Sequence, residues 1–382
     1  MKHLLPLILV AGAPFATAAE KLKPLAIGSD APDFSLPATD GKTYSLGSFK
    51  HADVLAILFT CNHCPTAQAY EQRIKKIVTD YRDKSFALLA ISPNDPLSIR
   101  LDELGYSIAG DTLEDMKTHA GAYGFNFPYL YDGETQKTSL DYGVLATPHI
   151  YILDRDRKLR YQGRIDDDEP GTDIQSHDAR NAIDALLAGT KIPNETTRVF
   201  GCSTKWADKR SAVTRDNEAW DKLPVTLETI DLAGVKALAA NKTEKLRLIN
   251  LWATWCGPCI AELPDLVEIN RTYQRRDLEL ITISLDAPTA RDAALKILKR
   301  NHAAETEAIA ESLKEERRTT NNYLFDNTDK DALAGALDSE WPGPIPYTIL
   351  IAPGGKIIYR HSGTLDPIAL KKAIIKQVGR TY

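Results

Sequence analysis

Four of the five cysteines in this 382-residue chain form two C-x-x-C pairs. The first pair is Cys61 and Cys64, the second is Cys256 and Cys259, and Cys202 stands alone between them. Thiols three residues apart on a helix lie on the same face. One thiol can attack a disulfide of another molecule, and the other can then resolve the mixed disulfide. The spacing predicts reversible two-electron exchange at two places in the chain.

Each pair lies between a predicted buried strand and a predicted helix. The exposed backbone N–H groups and the dipole at a helix N-terminus stabilise a thiolate, which makes a cysteine there nucleophilic. We therefore expect Cys61 and Cys256 to attack, and Cys64 and Cys259 to resolve. The strands are predicted from the apolar runs at 54–59 and 246–252, and the helices from the periodic segments 67–81 and 260–273.

The order of elements repeats further along the chain, which predicts two copies of one α/β fold. The cysteine pairs are 195 residues apart, and two prolines that precede late strands, Pro148 and Pro346, are 198 apart. We expect each copy to be a central mixed sheet flanked by helices. The matching segments are strands at 86–91 and 278–283, hairpins starting at 149–153 and 347–351, and final helices at 179–187 and 368–378.

The second half resembles the thioredoxin superfamily over residues 222–382. The resemblance rests on the run W-A-T-W-C-G-P-C that ends at Cys259, and on the dipeptide Ile345-Pro346, which matches the cis-proline of that superfamily. It implies that Cys256 attacks and Cys259 resolves. It also implies that Pro346 packs against the disulfide and that the backbone of Ile345 pairs with the substrate chain.

Two further features of the second half resemble the TlpA and ResA type of periplasmic reductant. These are Asn250 and the run E-L-P that starts at Glu262. By that resemblance Glu262 lies near the cysteines, where a partly desolvated carboxylate could accept the proton that Cys259 must lose. The alternative is an exposed glutamate in the first part of the helix.

The first half resembles the redoxin or peroxiredoxin-like branch of the same superfamily over residues 25–206. The resemblance rests on the run A-P-D-F-S-L at 31–36, on the cysteine segment 61–65, and on Ala-Thr-Pro ending at Pro148. A peroxidatic site would need Pro-x-x-x-Thr/Ser-x-x-Cys, and neither Cys61 nor Cys64 is preceded by that pattern. A dithiol switch is therefore the first interpretation, and a thiol peroxidase is the alternative.

His63 separates the two cysteines of the first pair. A hydrogen-bond donor or positive charge there would stabilise the Cys61 thiolate, as the histidine between the cysteines does in the DsbA oxidant. A stabilised thiolate makes a disulfide more oxidising. We therefore expect the first site to be more oxidising than the second, so that electrons could pass from the second domain to the first.

The first residues have the pattern of a secretory signal. Lys2 and His3 precede the apolar run 4–10, and small residues end at Ala18, after which we expect cleavage. The run is too short to span a bilayer, so we expect an exported, periplasmic or secreted protein without stable membrane insertion. The predicted organisation is a signal peptide at 1–18, a redoxin domain at 25–206, a linker at 207–222 and a thioredoxin domain at 223–382.

The composition of the chain argues against one class of partner. The chain is 43% apolar and 26% charged with a net charge of −5, and it has no basic run, which argues against nucleic acid. Expected partners are protein or small-molecule thiols and disulfides, with a membrane electron donor as a further candidate. No cofactor or metal is predicted, because the sulfurs hold the electrons. Soft-metal binding and purely structural disulfides are the non-enzymatic alternatives, and Cys202 is either an inert buried thiol or a third redox partner.

Overall fold

The computed structural model describes residues 22–381. The predicted signal peptide, 1–18, lies outside these residues. Within 22–381, no helix has both the length and the apolar content that crossing a bilayer requires.

The first half builds a five-stranded sheet, with the order β5-β4-β3-β6-β7. The central strand β3 is parallel to β4 and antiparallel to β6. All its residues are buried, as expected of a strand covered by helices on both faces. The elements are β1 (Leu36–Pro37), β2 (Thr43–Tyr44), β3 (Val54–Phe59), α1 (Pro65–Asp80), β4 (Phe86–Ser92), α2 (Leu113–Tyr123), β5 (Tyr129–Tyr131), α3 (Lys137–Tyr142), β6 (His149–Leu153), β7 (Leu159–Gly163) and α4 (Asp178–Leu187).

The second half builds a six-stranded sheet, with the order β13-β12-β9-β10-β11-β8. Its centre repeats the first sheet, since β9 is parallel to β10 and antiparallel to β12. The elements are α5 (Arg210–Trp220), β8 (Glu228–Ile230), α6 (Leu232–Ala240), β9 (Leu246–Trp252), α7 (Gly257–Tyr273), β10 (Leu278–Ser284), α8 (Arg291–Arg300), α9 (Ala310–Glu315), β11 (Asn322–Phe325), α10 (Lys330–Leu337), β12 (Tyr347–Ala352), β13 (Lys356–Ser362) and α11 (Pro367–Val378).

These two mixed sheets confirm the predicted α/β class with two copies of one fold. The predicted central strands, hairpins and final helices agree with the observed ones to within a few residues. The outer strands β5, β8 and β11 were not predicted, because each has only three or four residues. The predicted linker at 207–222 contains the helix α5, whose last residue, Trp220, is buried in the core of the second domain.

The two domains are packed together at the C-terminal end of α7. The Tyr273 hydroxyl donates a hydrogen bond to the Ser107 carbonyl at 2.8 Å. The next residues of the first domain, Ile108 and Ala109, belong to the apolar core of the second. The Arg276 guanidinium lies over the Tyr106 ring, 3.9 Å from its centroid. The end of α7 is therefore held against the loop that precedes α2.

An ion pair between Arg380 and the buried Glu71 also joins the two domains. Arg380, just beyond α11, donates to both carboxylate oxygens of Glu71 in α1, each at 2.9 Å. The same guanidinium lies over the Tyr123 ring, 3.5 Å from its centroid. Glu71 also contacts the buried His119 at 2.6 Å. Removing Arg380 would leave a buried carboxylate without its principal cation.

We expect Arg380→Met to lower the free energy of unfolding by about 2 kcal/mol, the scale of lost hydrogen bonds to a charged group. Urea denaturation measures this change. Arg155→Met is the matched control, because Arg155 is exposed and its nearest carboxylate, on Asp53, is 3.4 Å away. Equal effects of the two substitutions would contradict a stabilising role for the Arg380–Glu71 pair.

Candidate active sites

The second site is a disulfide at the start of α7. Cys256 caps the helix, and its sulfur accepts a hydrogen bond from the Cys259 amide at 3.3 Å. The two sulfurs are bonded to each other. Cys259 is fully buried and Cys256 is 6% exposed, directly after Trp255, which is 63% exposed. The outer sulfur therefore lies next to the protein surface and the inner sulfur beneath it.

The predicted cis-proline lies against this disulfide. The Ile345–Pro346 peptide is cis, and the Ile345 carbonyl oxygen is 3.9 Å from the Cys256 sulfur. The Thr147–Pro148 peptide of the first domain is also cis. Both domains thus place a proline loop opposite the start of their first long helix.

Glu262 is buried, so the alternative of an exposed glutamate is wrong. Its carboxylate accepts hydrogen bonds from the Asn250 side chain at 3.0 Å and from the Leu365 amide at 2.9 Å. Burial raises the pKa of Glu262 by desolvating its charged form, although these two hydrogen bonds oppose the shift. A carboxylate with a raised pKa is suited to accepting a proton, and this one lies three residues beyond Cys259.

The first site does not have the register that the sequence predicted. Strand pairing places Phe59 opposite His149, the residue after Pro148. In the second domain it places Leu251 opposite Tyr347, the residue after Pro346. Phe59 and Leu251 are therefore equivalent, and they are 192 residues apart rather than 195.

This register makes Cys64 the equivalent of Cys256. Cys64 caps α1 and accepts a hydrogen bond from the Ala67 amide at 3.4 Å, and its sulfur is 3.3 Å from the Thr147 carbonyl oxygen. Ala67 stands where the second domain has Cys259. The prediction that Cys61 corresponds to Cys256 was wrong, because α1 starts after the second cysteine of its pair, whereas α7 starts after the first.

Cys64 forms its disulfide with Cys202. The interpretation of Cys202 as an inert free thiol is therefore wrong. Cys202 lies 138 residues further along the chain than Cys64, so the C-x-x-C spacing gives no sign of this bond. Cys61 is the free cysteine of the described residues, and it is buried.

A close backbone approach holds Cys202 in place. The Thr147 amide donates to the Cys202 carbonyl at 2.9 Å, and the Cys202 amide donates to the Thr147 carbonyl at 3.1 Å. Gly201 makes this approach possible, because a Cβ at its position would lie 2.1 Å from the Thr147 oxygen. Gly201 also has a φ of 142°, which side chains disfavour.

A buried charged network lies beside Cys61. The sulfur of Cys61 is 3.2 Å from the Thr147 hydroxyl. His63 Nδ1 is 2.8 Å from a carboxylate oxygen of Asp111. Asp111 also accepts hydrogen bonds from the Asn62 amide at 2.9 Å and the Asn94 side chain at 2.7 Å. Sequence reasoning missed Asp111, because it lies 48 residues from His63 in a loop with no motif.

The network determines the charge of His63. Burial alone would lower the pKa of His63, but its interactions with Cys61 and Asp111 outweigh burial and raise that pKa to about 10. His63 is therefore an imidazolium at neutral pH. Single ligand atoms of Cys61, His63 and Asp111 lie within 4.8 Å of one another, but the ion pair already accounts for this proximity without a metal.

The two disulfides lie at opposite ends of α7. Cys256 is at its N-terminus, and the helix has 17 residues, which span about 25 Å. Just beyond its C-terminus, Arg275 and Arg276 line a cavity together with His63 and Cys202. The four thiols of the C-x-x-C pairs therefore cannot bind one metal ion in this arrangement.

We expect His63→Asn to change how stability depends on pH. A pKa raised in the folded state stabilises the protein fully below the unfolded value of about 6.5, and this stabilisation is lost as the pH rises towards about 10. Between these values the unfolding free energy of the unsubstituted protein should fall more steeply than that of the variant, by up to about 1.4 kcal/mol per pH unit. Urea denaturation from pH 5.5 to 10 measures both slopes.

His51→Asn makes the same substitution at an exposed histidine and serves as the control. Its slope should match that of the unsubstituted protein. Parallel curves for all three proteins would contradict a charged His63.

Comparison with known proteins agrees with this architecture. The sequence profile of the AhpC/TSA family matches residues 27–162 and again residues 222–360, together well over half of the chain. A thiol-disulfide oxidoreductase ResA of Oceanobacillus iheyensis is 28% identical over 48% of this chain and 75% of its own. The thioredoxin-like protein YneN of Bacillus subtilis is also 28% identical, over 38% of this chain and 72% of its own.

Two solved structures are similar to part of the chain. The hypothetical protein SMc02350 of Sinorhizobium meliloti is 33% identical, covering 48% of this chain and 97% of its own, with a TM-score of 0.43. An uncharacterized conserved protein of Geobacillus kaustophilus is 36% identical, covering 47% of this chain and 92% of its own, also with a TM-score of 0.43. The two profile matches coincide with the two thioredoxin-like domains, and the chain belongs to the AhpC/TSA family.

Proposed function

We propose that this protein is a thiol-disulfide oxidoreductase with one exchange site in each domain. The observation that carries the proposal is the Cys256–Cys259 disulfide at the N-terminus of α7, with its outer sulfur next to the surface and its inner sulfur buried. The ResA relative bears the same activity in its name. Protein or small-molecule disulfides are the proposed substrates.

At the second site, the Cys256 thiolate attacks one sulfur of a substrate disulfide, and the other substrate sulfur leaves as a thiolate. A mixed disulfide between Cys256 and the substrate results. Cys259 then attacks the Cys256 sulfur, which releases the second substrate thiolate and re-forms Cys256–Cys259. Glu262 receives the proton of Cys259, because burial disfavours its charged form. The substrate gains two electrons and the protein loses two.

At the first site, we assign the attacking role to Cys64 and the resolving role to Cys202. Cys64 takes the position of Cys256 at the start of a helix, and Cys202 is its bonded partner. Cys64, rather than Cys61, is therefore the proposed attacking thiol of this site. Cys61, next to the His63 imidazolium, is a third thiol that can return to Cys64.

The proposed relay of electrons from the second domain to the first is not direct in this arrangement, because about 25 Å of helix separate the sites. It would need a carrier thiol or a different packing of the domains. The difference in potential is nevertheless expected. The His63 imidazolium lines the same cavity as Cys202 and favours the reduced, thiolate form of that site.

We therefore expect the Cys64–Cys202 disulfide to be more oxidising than Cys256–Cys259. Equilibration with glutathione buffers, followed by alkylation and peptide mass spectrometry, measures each potential in the full chain. Each 30 mV between the two sites corresponds to about 1.4 kcal/mol. Equal potentials, or the reverse order, would contradict the expected direction of electron flow.

We also propose that the protein works outside the cytoplasm, in the periplasm or as a secreted protein. The signal pattern at 1–18 supports this proposal. A membrane electron donor is a partner consistent with that location.

Reduction of insulin disulfides with dithiothreitol as electron source tests the activity. We expect Cys256→Ser to lose the catalysed rate, because the attacking sulfur is gone. Cys64→Ser should retain the catalysed rate, because its site lies at the other end of α7. Full activity of Cys256→Ser would contradict the proposal.

Hydrogen peroxide consumption by the same variants tests the alternative function, that of a thiol peroxidase. Peroxide turnover that survives Cys256→Ser but is lost in Cys64→Ser or Cys61→Ser would favour a thiol peroxidase.

A further inference from the structure

In each domain we call the backbone just before the cis-proline, at Thr147 and at Ile345, the groove; in the first domain it is covered by the protein's own chain. Cys202 pairs with both backbone groups of Thr147, the residue before the cis-proline, as an antiparallel bridge. The equivalent residue in the second domain is Ile345, and within residues 22–381 no backbone segment forms such a bridge with it. A substrate polypeptide can therefore reach the backbone next to Cys256, whereas the matching backbone next to Cys64 is already paired.

What remains open at the first site is a small cavity. It has a volume of about 270 Å³ and lies between the two domains, with Cys202 in its wall. Of the three cysteines at this site, Cys61 is 3% exposed and Cys64 is 0% exposed, whereas Cys202 is only partly buried. This volume lies near the lower end of the range for small-molecule pockets. The reachable sulfur is that of Cys202.

The cavity is positively charged. His63 forms part of its wall, but its charge is balanced by the buried Asp111. Asp102 already pairs with Arg100 and Arg275, each at 3.0 Å, and Glu103 pairs with Lys205 at 2.6 Å. Cations outnumber carboxylates, since the charged lining besides His63 consists of four cations and two carboxylates: Arg100, Lys205, Arg275, Arg276, Asp102 and Glu103.

We propose that this cavity binds a low-molecular-weight thiol that carries carboxylate or other anionic groups, and that this thiol exchanges with the Cys64–Cys202 disulfide. The inference rests on the proposed function and divides its substrates between the domains. The first site takes small anionic thiols, and the second takes protein chains. Cations concentrate anions in a narrow cleft with low-dielectric walls, which raises the rate of encounter.

The exchange proceeds in two balanced steps. The thiolate of the first small thiol attacks the Cys202 sulfur, the Cys64–Cys202 bond breaks, and Cys64 leaves as a thiolate. A second small thiolate attacks the sulfur of the first in the mixed disulfide and releases the Cys202 thiolate. Two thiols are oxidised to one small disulfide, and the protein disulfide is reduced to two thiols.

Competition between thiols of different charge tests the proposal in the full-length oxidised protein. The probes are 3-mercaptopropionate, 2-mercaptoethanol and cysteamine, which are anionic, neutral and cationic. Alkylation and peptide mass spectrometry measure the reduction of each disulfide separately, and rates are divided by the thiolate fraction of each probe. At Cys64–Cys202 we expect 3-mercaptopropionate to react about tenfold faster than cysteamine, and we expect high salt to remove most of the difference.

Arg275→Gln should reduce this preference, because it removes one cation from a side chain that is 70% exposed and can be changed without disturbing the core. Arg155→Gln removes the same charge from an 83% exposed position outside the lining of the cavity and should leave the preference unchanged.

The outcomes distinguish this inference from the proposed function. Equal rates for anionic and cationic thiols, or faster reduction of Cys64–Cys202 by a protein dithiol in the unsubstituted protein, would overturn the inference while leaving exchange at Cys256 intact. If neither disulfide reacts with any thiol faster than a disulfide in an unfolded peptide, the proposed function itself is wrong.

Discussion

The contact between Gly201-Cys202 and Thr147 determines the chemistry of the first domain. Two backbone hydrogen bonds and the absence of a side chain at Gly201 bring a distant cysteine to the sulfur at the start of α1. Without this contact, Cys64 would face Ala67, which cannot resolve a mixed disulfide. The close approach supplies the second sulfur and occupies the groove at the same time.

The two domains therefore share a scaffold and differ in where the second sulfur of the disulfide comes from. In the second domain, Cys259 lies one turn into the same helix as Cys256, so the redox couple is local and its outer member remains near the surface. In the first domain, the second sulfur belongs to Cys202, in a segment that follows α4, the last helix of that domain. A disulfide formed within one helix leaves the groove free for a substrate chain. A disulfide formed with a distant segment places that segment in the groove.

Both domains have a buried carboxylate at the loop before the helix, since Asp286 accepts a hydrogen bond from the Thr254 amide as Asp111 does from the Asn62 amide, but the second domain has Trp255 where the first has His63. Asp111 holds the imidazolium through a charge-assisted hydrogen bond, and it is itself held by Asn62 and Asn94. Near the cysteines of the second domain, Glu262 is also buried, and burial favours its neutral form. One site thus has a histidine with a raised pKa near its sulfurs, and the other has a glutamate with a raised pKa.

The α/β class, the duplication and the central strands could be predicted from the amino-acid sequence, because long apolar runs and helical periodicity are local properties of the chain. Cys256, Cys259, Glu262 and both prolines were predicted as site residues, because they stand in short motifs. The register of Cys64, its bond to Cys202 and the contacts of Asp111 became visible in the folded chain alone. These depend on where a loop ends and on contacts between residues tens of positions apart, and no spacing pattern in the chain records such contacts.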